Sequence, residues 1–331
     1  MIELQITNNE AGQRLDKFLG KYMKKAPKSF LYKMMRKKNI VLNGKKASGN
    51  EILVSGDLVK LFLSQETVDN FSESIRETKN RLSVNRQTFQ LTKAEILYED
   101  PHILLINKPA GLLSQKAEKG SPSLTEAIIR YLLQTDQLAE ASLRTFRPSV
   151  CNRLDRNTSG IVAAGKSLVG LQELSRLFKD RSLKKYYRCI TKGSVRKPAH
   201  ICGWLTKDSK TNTVHIADTP SEDGSLRIET EYTPLTCRNG ISDLEVHLIT
   251  GRTHQIRAHL AGTGHPIIGD PKYGDKRLNR FYEEKYGVKT QLLHACRLEF
   301  PDLDGPLSYL SGKTVTAPLP MIFETVRRGE E

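Results

Sequence analysis

Cysteine is scarce in this chain: five in 331 residues, Cys151, Cys189, Cys202, Cys237 and Cys296. None forms a CxxC pair, which excludes a zinc ribbon, and their odd number and scatter argue against a disulfide framework. No apolar run approaches the ~20 residues that a membrane-spanning helix needs. The N-terminus, Met1-Ile2-Glu3-Leu4-Gln5, has neither the basic start nor the apolar run of a secretion signal. Internal repeats are absent too. These absences point to a reduced, cytoplasmic protein with no membrane partner. With 38% hydrophobic and 27% charged residues, the chain is a folded protein rather than a disordered one. Its length fits two or three domains.

Charge is what the sequence has in excess. Lys and Arg number 52 against 37 Asp and Glu, a net of +15. Such an excess suits a polyanion, nucleic acid first. It is also concentrated: residues 1–63 hold thirteen Lys/Arg and five Asp/Glu, a net of +8.

Residues 12–63 read as one small module. Leu15, Phe18, Leu19 and Tyr22 fall on one helical face, and Phe30, Leu31, Met34 and Met35 repeat the pattern after Pro27, with Ser29 as the expected cap. Ile40-Val41-Leu42-Asn43-Gly44-Lys45-Lys46 reads as a strand, a turn and a basic strand, and Leu58 to Leu63 as a last strand. Lys33, Arg36, Lys37, Lys38, Lys45 and Lys46 edge the module as candidate RNA contacts. With Arg14-Leu15-Asp16 at its start, the module resembles the αL RNA-binding fold of the fourth small-subunit ribosomal protein. Residues 64–94 are polar and poor in aromatics, a linker with room for one short helix. From residue 95 to 325 strand-like runs alternate with helical stretches at 123–133 and 168–179. The expected class is α+β: a mixed, largely antiparallel sheet with flanking helices, preceded by the small α/β module.

Gly160-Ile161-Val162-Ala163-Ala164-Gly165-Lys166-Ser167 satisfies the GxxxxGK[ST] pattern of a phosphate-binding loop. Its variable positions are Ile, Val, Ala and Ala, which suit a buried strand and not a turn that curls around phosphate. We read it as strand 160–165, with Lys166 and Ser167 capping the next helix.

The segment before that strand, Asn152-Arg153-Leu154-Asp155-Arg156, places an aspartate between two arginines on a loop. Arginines this close favour the ionised carboxylate, the form that serves as nucleophile or general base. A surface ion-pair loop is the alternative on local composition alone. Further on, Gly251-Arg252-Thr253-His254-Gln255-Ile256-Arg257 turns after a strand and opens a helix, with His254 and Arg257 on one face. Arg257 can offer a two-point fork to a carboxylate. His254 and His259 lack the spacing of a metal pair, so no metal is expected. The turns of Gly264-His265-Pro266-Ile267-Ile268-Gly269-Asp270-Pro271-Lys272-Tyr273-Gly274 read as structural when taken alone.

Together these segments resemble the RluA-type pseudouridine synthases. Asn107-Lys108-Pro109-Ala110-Gly111-Leu112 is similar to the family's first motif, Asn152 to Gly160, Gly251 to Leu260 and Gly264 to Gly274 to its middle ones, and Leu293-His294-Ala295 to Leu298 to its last. The basic module in front suggests the RluC/RluD-like branch. The resemblance implies isomerisation of uridine to pseudouridine in structured RNA after base flipping, without cofactor or metal; a monomer is expected. It implies that Asp155 is the catalytic aspartate, that Arg257 orients it, and that Arg153 fills the gap left by the flipped base. Lys184-Lys185-Tyr186 matches the family's Lys-x-Tyr, so the resemblance makes Tyr186 the ring on the base, with Leu298 as the apolar wall beside it. Because Tyr186 and Tyr187 alternate across a strand, only one of them can face a cleft. Lys108, Arg156, Arg252 and His254 complete the expected substrate contacts. One departure stands out: the family's usual His before Arg-Leu-Asp is Asn152 here, which hydrogen-bonds but carries no charge.

Three functions compete: an RNA uridine isomerase, a non-catalytic RNA-binding or assembly factor on the same scaffold, and a nucleotidase built on the glycine pattern. The intact Asp155, Arg257 and tyrosine set favours the first. Large-subunit ribosomal RNA is the expected substrate, with transfer RNA the second choice.

Overall fold

The computed structural model describes residues 1–72, 89–116, 121–208, 211–221 and 224–330. The basic module is built on a four-stranded antiparallel sheet, in the order β1 (Ile2–Gln5), β4 (Leu58–Leu61), β2 (Ile40–Leu42) and β3 (Lys45–Lys46). Helices α1 (Leu15–Tyr22) and α2 (Lys28–Arg36) bury the expected faces, Leu15, Phe18, Leu19 and Tyr22 from one and Leu31, Met34 and Met35 from the other. Ser29 does not cap α2: Pro27, in extended conformation, occupies that position and the helix begins at Lys28. Asn43 and Gly44 both adopt positive φ, the geometry of a two-residue hairpin turn. Helix α3 (Gln65–Phe71) adds Val68 to the same core. The other part of the expected linker, residues 73–88, lies outside the described residues, and Leu91 already packs into the larger core.

The larger unit is an 11-stranded sheet. Its main path runs β11 (Thr213–Ala217), β10 (Ala199–Asp208), β12 (Leu226–Arg238), β13 (Ile241–Leu248), β9 (Lys184–Lys192), β14 (Leu293–Glu299), β8 (Ser159–Gly165), β6 (Ile103–Lys108), β5 (Ile96–Glu99). Short β7 (Ser149–Val150) pairs with β8, and β15 (Thr314–Thr316) with β14. The pairings are antiparallel except β14 with β8. The expected α+β class is therefore the fold. Period-two alternation sorts the buried side chains. Leu104, Ile106, Val162 and Ala164 face the core closed by α4 (Leu124–Gln134) and α6 (Gln255–Gly262). Ile103, Leu105, Ile161 and Ala163 face α5 (Leu168–Lys179). Helices α7 (Lys276–Tyr286) and α8 (Met321–Gly329) close a third cluster around Ile190 and Ile241.

The glycine pattern at 160–167 is packing, not a phosphate cradle. Every residue of β8 is buried, and Ser167 caps α5 by accepting from the Gly170 N–H. A Cβ on Gly160 would sit 2.2 Å from the Ala295 carbonyl oxygen, and one on Gly165 would sit 2.4 Å from Leu171 Cα. Both glycines are thus required by close approach of β14 and of α5 to β8.

Candidate active site

Asp155 lies on the loop between β7 and β8, and this loop is pinned from beneath. Leu154 is buried, its N–H donates to Ser114 Oγ, and Ser114 Oγ in turn donates to its carbonyl, both at 3.0 Å. Asn152 clamps the loop to β8, donating to the Ile161 carbonyl at 3.2 Å and accepting from the Ala163 N–H at 2.8 Å. An uncharged amide, both donor and acceptor, suffices for that task. Lys108 corrects an expectation: it is fully buried and does not line the cleft. Its ammonium donates to the carbonyls of Pro109 and Leu112 at 2.9 Å and of Arg156 at 3.1 Å. Three N–H donors meet three carbonyls, so Lys108 ties the two loops together. Burial pushes this lysine down to about 7, opposed by the charge of Asp155.

With Leu154 pointing inward, Arg153 and Arg156 are exposed and Asp155 remains one-quarter exposed. Arg257, on the first turn of α6, is almost fully buried, and its Nη1 donates to Asp155 Oδ2 at 2.8 Å. The two-point fork expected of Arg257 goes elsewhere. Nε and Nη2 donate to Asp270 at 2.7 and 2.8 Å. Asp270, in the turn read from sequence as structural, is a site residue the sequence did not yield. Its signal is the Asx turn of Asp-Pro-Lys-Tyr-Gly: Oδ1 accepts the N–H groups of Lys272 and Tyr273. Burial alone would raise its carboxyl; the bonds from Arg257 and those two amides outweigh it and hold Asp270 below the usual range.

His254 precedes α6 with φ 54°, so it is placed by a left-handed turn and not by the helix face. Its Nε2 is 3.8 Å from Asp155 Oδ2, and its Nδ1 is 3.0 Å from the Tyr273 hydroxyl. Burial, with Arg257 and Lys272 nearby, lowers His254 against the pull of Asp155 and favours the neutral ring. Among the described residues Asp155 Oδ1 has no hydrogen-bond partner, which leaves that oxygen for a substrate.

A cleft of about 1290 Å³ opens over Asp155, lined also by Arg153, Arg156, Arg252 and His254. Asp155 is the one carboxylate among its described lining residues, against ten Lys and Arg. Tyr186 is not in it; Tyr187 is. Successive strand residues face opposite sides. Tyr186 instead packs against His247 on β13 at 4.8 Å and under the Arg297 guanidinium of β14 at 3.9 Å. The Lys-x-Tyr pattern is satisfied equally by Lys185-Tyr186-Tyr187, the register whose tyrosine lines the cleft. Leu298 is likewise absent from the lining: it is buried with Leu174 and Leu177 of α5, and Leu293, at the other end of β14, lines the cleft. Lys33, Arg36, Lys37, Lys38, Lys45 and Lys46 are all exposed on the basic module. Among the described residues one His–Cys–Glu group, His200, Cys202 and Glu229, lies on β10 and β12 outside the cleft lining.

The family model for RNA pseudouridylate synthase matches residues 102–262, which include Asp155 and Arg257. Ribosomal large subunit pseudouridine synthase C of Vibrio parahaemolyticus is 30% identical over 302 residues, covering 90% of this chain and 87% of that protein. This chain belongs to the pseudouridine synthase family. The Escherichia coli synthase of the same name is 31% identical, with 89% and 87% of the two chains covered. The similarity falls in the RluC-like branch of the RluA-type synthases. The solved structure of human RNA pseudouridylate synthase domain containing 4 has the same fold, with TM-score 0.56 at 21% identity over 71% of this chain and 92% of that one. As a pseudouridine synthase, the chain is an RNA isomerase: the bond from ribose C1′ to uracil N1 breaks, a bond from C1′ to C5 forms, and the C5 proton is exchanged for one on N1. No atoms are added and none is oxidised.

Proposed function

We propose that this synthase modifies uridines of large-subunit ribosomal RNA in the cytoplasm, acting as a monomer with Asp155 as the reacting carboxylate. The observation that carries this reading is that, among the described residues, Asp155 is the single carboxylate in a basic cleft, held by one oxygen to Arg257 with the other oxygen unclaimed. Such a carboxylate can attack the sugar or take a proton while the surrounding cations hold the RNA backbone. A base within a helix is out of reach of Asp155, so the target uridine must be turned out of its stack. Arg153, exposed beside Asp155, is suited to fill the space it leaves. Tyr187, which lines the cleft wall, would meet the base, and the exposed cations of the N-terminal module would anchor flanking RNA. The relatives named for the large ribosomal subunit support the choice of RNA.

The test is pseudouridine mapping in total RNA from cells with and without the gene, with add-back of wild type or Asp155→Asn. Sites in large-subunit ribosomal RNA should vanish on deletion and return only with wild type. Loss of transfer RNA sites instead would replace the substrate. Restoration by Asp155→Asn would remove Asp155 from the chemistry, because an amide is neither nucleophile nor base at neutral pH.

A further inference from the structure

Lys185, on β9, was not among the residues expected at the site. It lines the same cleft as Asp155 yet is only 8% exposed. Burial of an ammonium normally brings a carboxylate or a set of carbonyls with it, as Lys108 shows. Among the described residues the Lys185 ammonium has neither: no hydrogen bond or ion pair reaches it, and the charge it senses is the like charge of Arg181. Next to it is Gly251, where even an added Cβ would stand 3.9 Å from Lys185 Nζ, so the ammonium borders the turn that carries Arg252. The absent side chain at Gly251 keeps this side of the ammonium uncovered. Arg181 and Arg252, both exposed, line the cleft as well.

A buried cation with cations for neighbours and no anion of its own is an incomplete site. We infer that Lys185, with Arg181 and Arg252 beside it, forms a subsite for the RNA phosphodiester that adjoins the flipped uridine. The position on β9 sets which phosphate. Lys185 and Tyr187 are two residues apart on one strand, with backbones about 7 Å apart, and both line the cleft. A base and the phosphate of its own nucleotide are separated by a comparable distance. A base against Tyr187 therefore brings its backbone to Lys185. This assignment rests on the RNA substrate proposed above.

The experiment uses full-length enzyme and an oligonucleotide carrying a uridine that mapping identifies. Affinity, its salt dependence and the single-turnover rate are measured for wild type, Lys185→Met and Lys185→Arg, with thermal melts to check folding. Lys185→Met should weaken binding about tenfold and lower the salt slope by about 0.7, the loss of one phosphate contact on a single strand. Lys185→Arg should stay within about threefold of wild type. A second measurement changes the RNA: a neutral methylphosphonate next to the target uridine should weaken wild-type binding to the same extent, and add no further loss to Lys185→Met. Unchanged affinity and slope in Lys185→Met would overturn the phosphate subsite, as would a methylphosphonate penalty that adds fully to that of the variant. A loss confined to the rate at saturating RNA would also overturn it, since the ammonium would then be serving the base. Wild-type turnover of the same oligonucleotide is the control that separates this result from failure of the proposed function.

Discussion

Arg257 holds Asp155 with one nitrogen and Asp270 with two, so the Asp155 carboxylate is positioned by a second, buried carboxylate acting through the arginine. Asp270 has no exposed side-chain surface, and the Arg257 side chain is 5% exposed. The ring of Tyr273 also faces the guanidinium, with Cζ 5.3 Å from its centroid. A planar fork can span two acceptors in fixed directions, and a lysine ammonium cannot. Arg257→Lys should therefore lower the single-turnover rate by about 100-fold, the scale of a 1 Å misplacement, with RNA affinity nearly unchanged. Asp270→Asn should lower the rate in the same direction while Asp155 itself is intact. A full rate in Asp270→Asn, with melting temperature reduced, would mean Asp270 serves stability only.

The two neighbouring tyrosines separate by face. Tyr187 is buried on the cleft wall, where burial and then the charge of Asp155 raise its phenol, so it stays protonated at neutral pH. Tyr186 belongs to the other side of β9, against His247 and Arg297. Tyr187→Phe should cut the single-turnover rate by roughly ten- to a hundredfold if its hydroxyl assists proton movement, within the usual range of acid–base assistance. Tyr186→Phe should stay within about twofold of wild type. The reverse order would restore Tyr186 to the site.

How far the sequence carries depends on whether the signal is local. Strand β8 was legible because Ile161-Val162-Ala163-Ala164 has the character of a buried strand whatever surrounds it, even inside a nucleotide-loop pattern. The flanking arginines of Asp155 left a surface ion-pair loop open, and it was the resemblance of two separate motifs to the family's that paired Asp155 with Arg257, which the fold brings to 2.8 Å. Asp270 was not legible, because its partner lies thirteen residues away and the pairing exists only once α6 and the following turn fold together. The tyrosine choice failed for a different reason: two overlapping registers satisfy the same three-residue pattern, and a one-residue slip reverses the face. Lys108 shows the same limit. Its place in a motif is visible, whereas its three carbonyl partners come from two loops that meet only in the fold.

His294, fully buried on β14, predicts an acid-side loss of stability. Burial pushes its imidazole down to about 4; the Ala317 carbonyl opposes this, and the Arg188 charge adds to it. The neutral ring bonds Ser159 Oγ at 2.8 Å through Nδ1. In the unfolded chain a histidine titrates near 6.5. Between about 6.5 and 4 the unfolded state binds the proton and the folded state does not, so stability falls as pH drops through that window. The full loss is roughly 3 kcal/mol. Urea unfolding at pH 7 and pH 5 should read about 2 kcal/mol of that loss, with His294→Gln as control. Equal pH dependence in wild type and variant would assign the acid sensitivity to other groups.

The basic N-terminal module can be tested without cutting the chain. Deletion at residue 63 would leave α3, whose Val68 belongs to the module's core, and would also remove the hydrogen bond from Thr145 Oγ1 to Glu10 that joins the module to the larger unit. Surface charge can be changed instead. Arg36, Lys37 and Lys38 are exposed at the end of α2 and bury nothing, so replacing all three with Gln spares the core. If they neutralise phosphates of duplex RNA, each releases nearly one counterion, and the salt slope of binding should fall by roughly 2 to 3. Affinity at low salt should fall with it, while the single-turnover rate at saturating RNA stays within about twofold, since Asp155 and Arg257 are untouched. Binding is measured by filter retention or fluorescence anisotropy across a salt series. An unchanged slope would mean that these cations only solubilise the module and that the anchor for flanking RNA lies elsewhere.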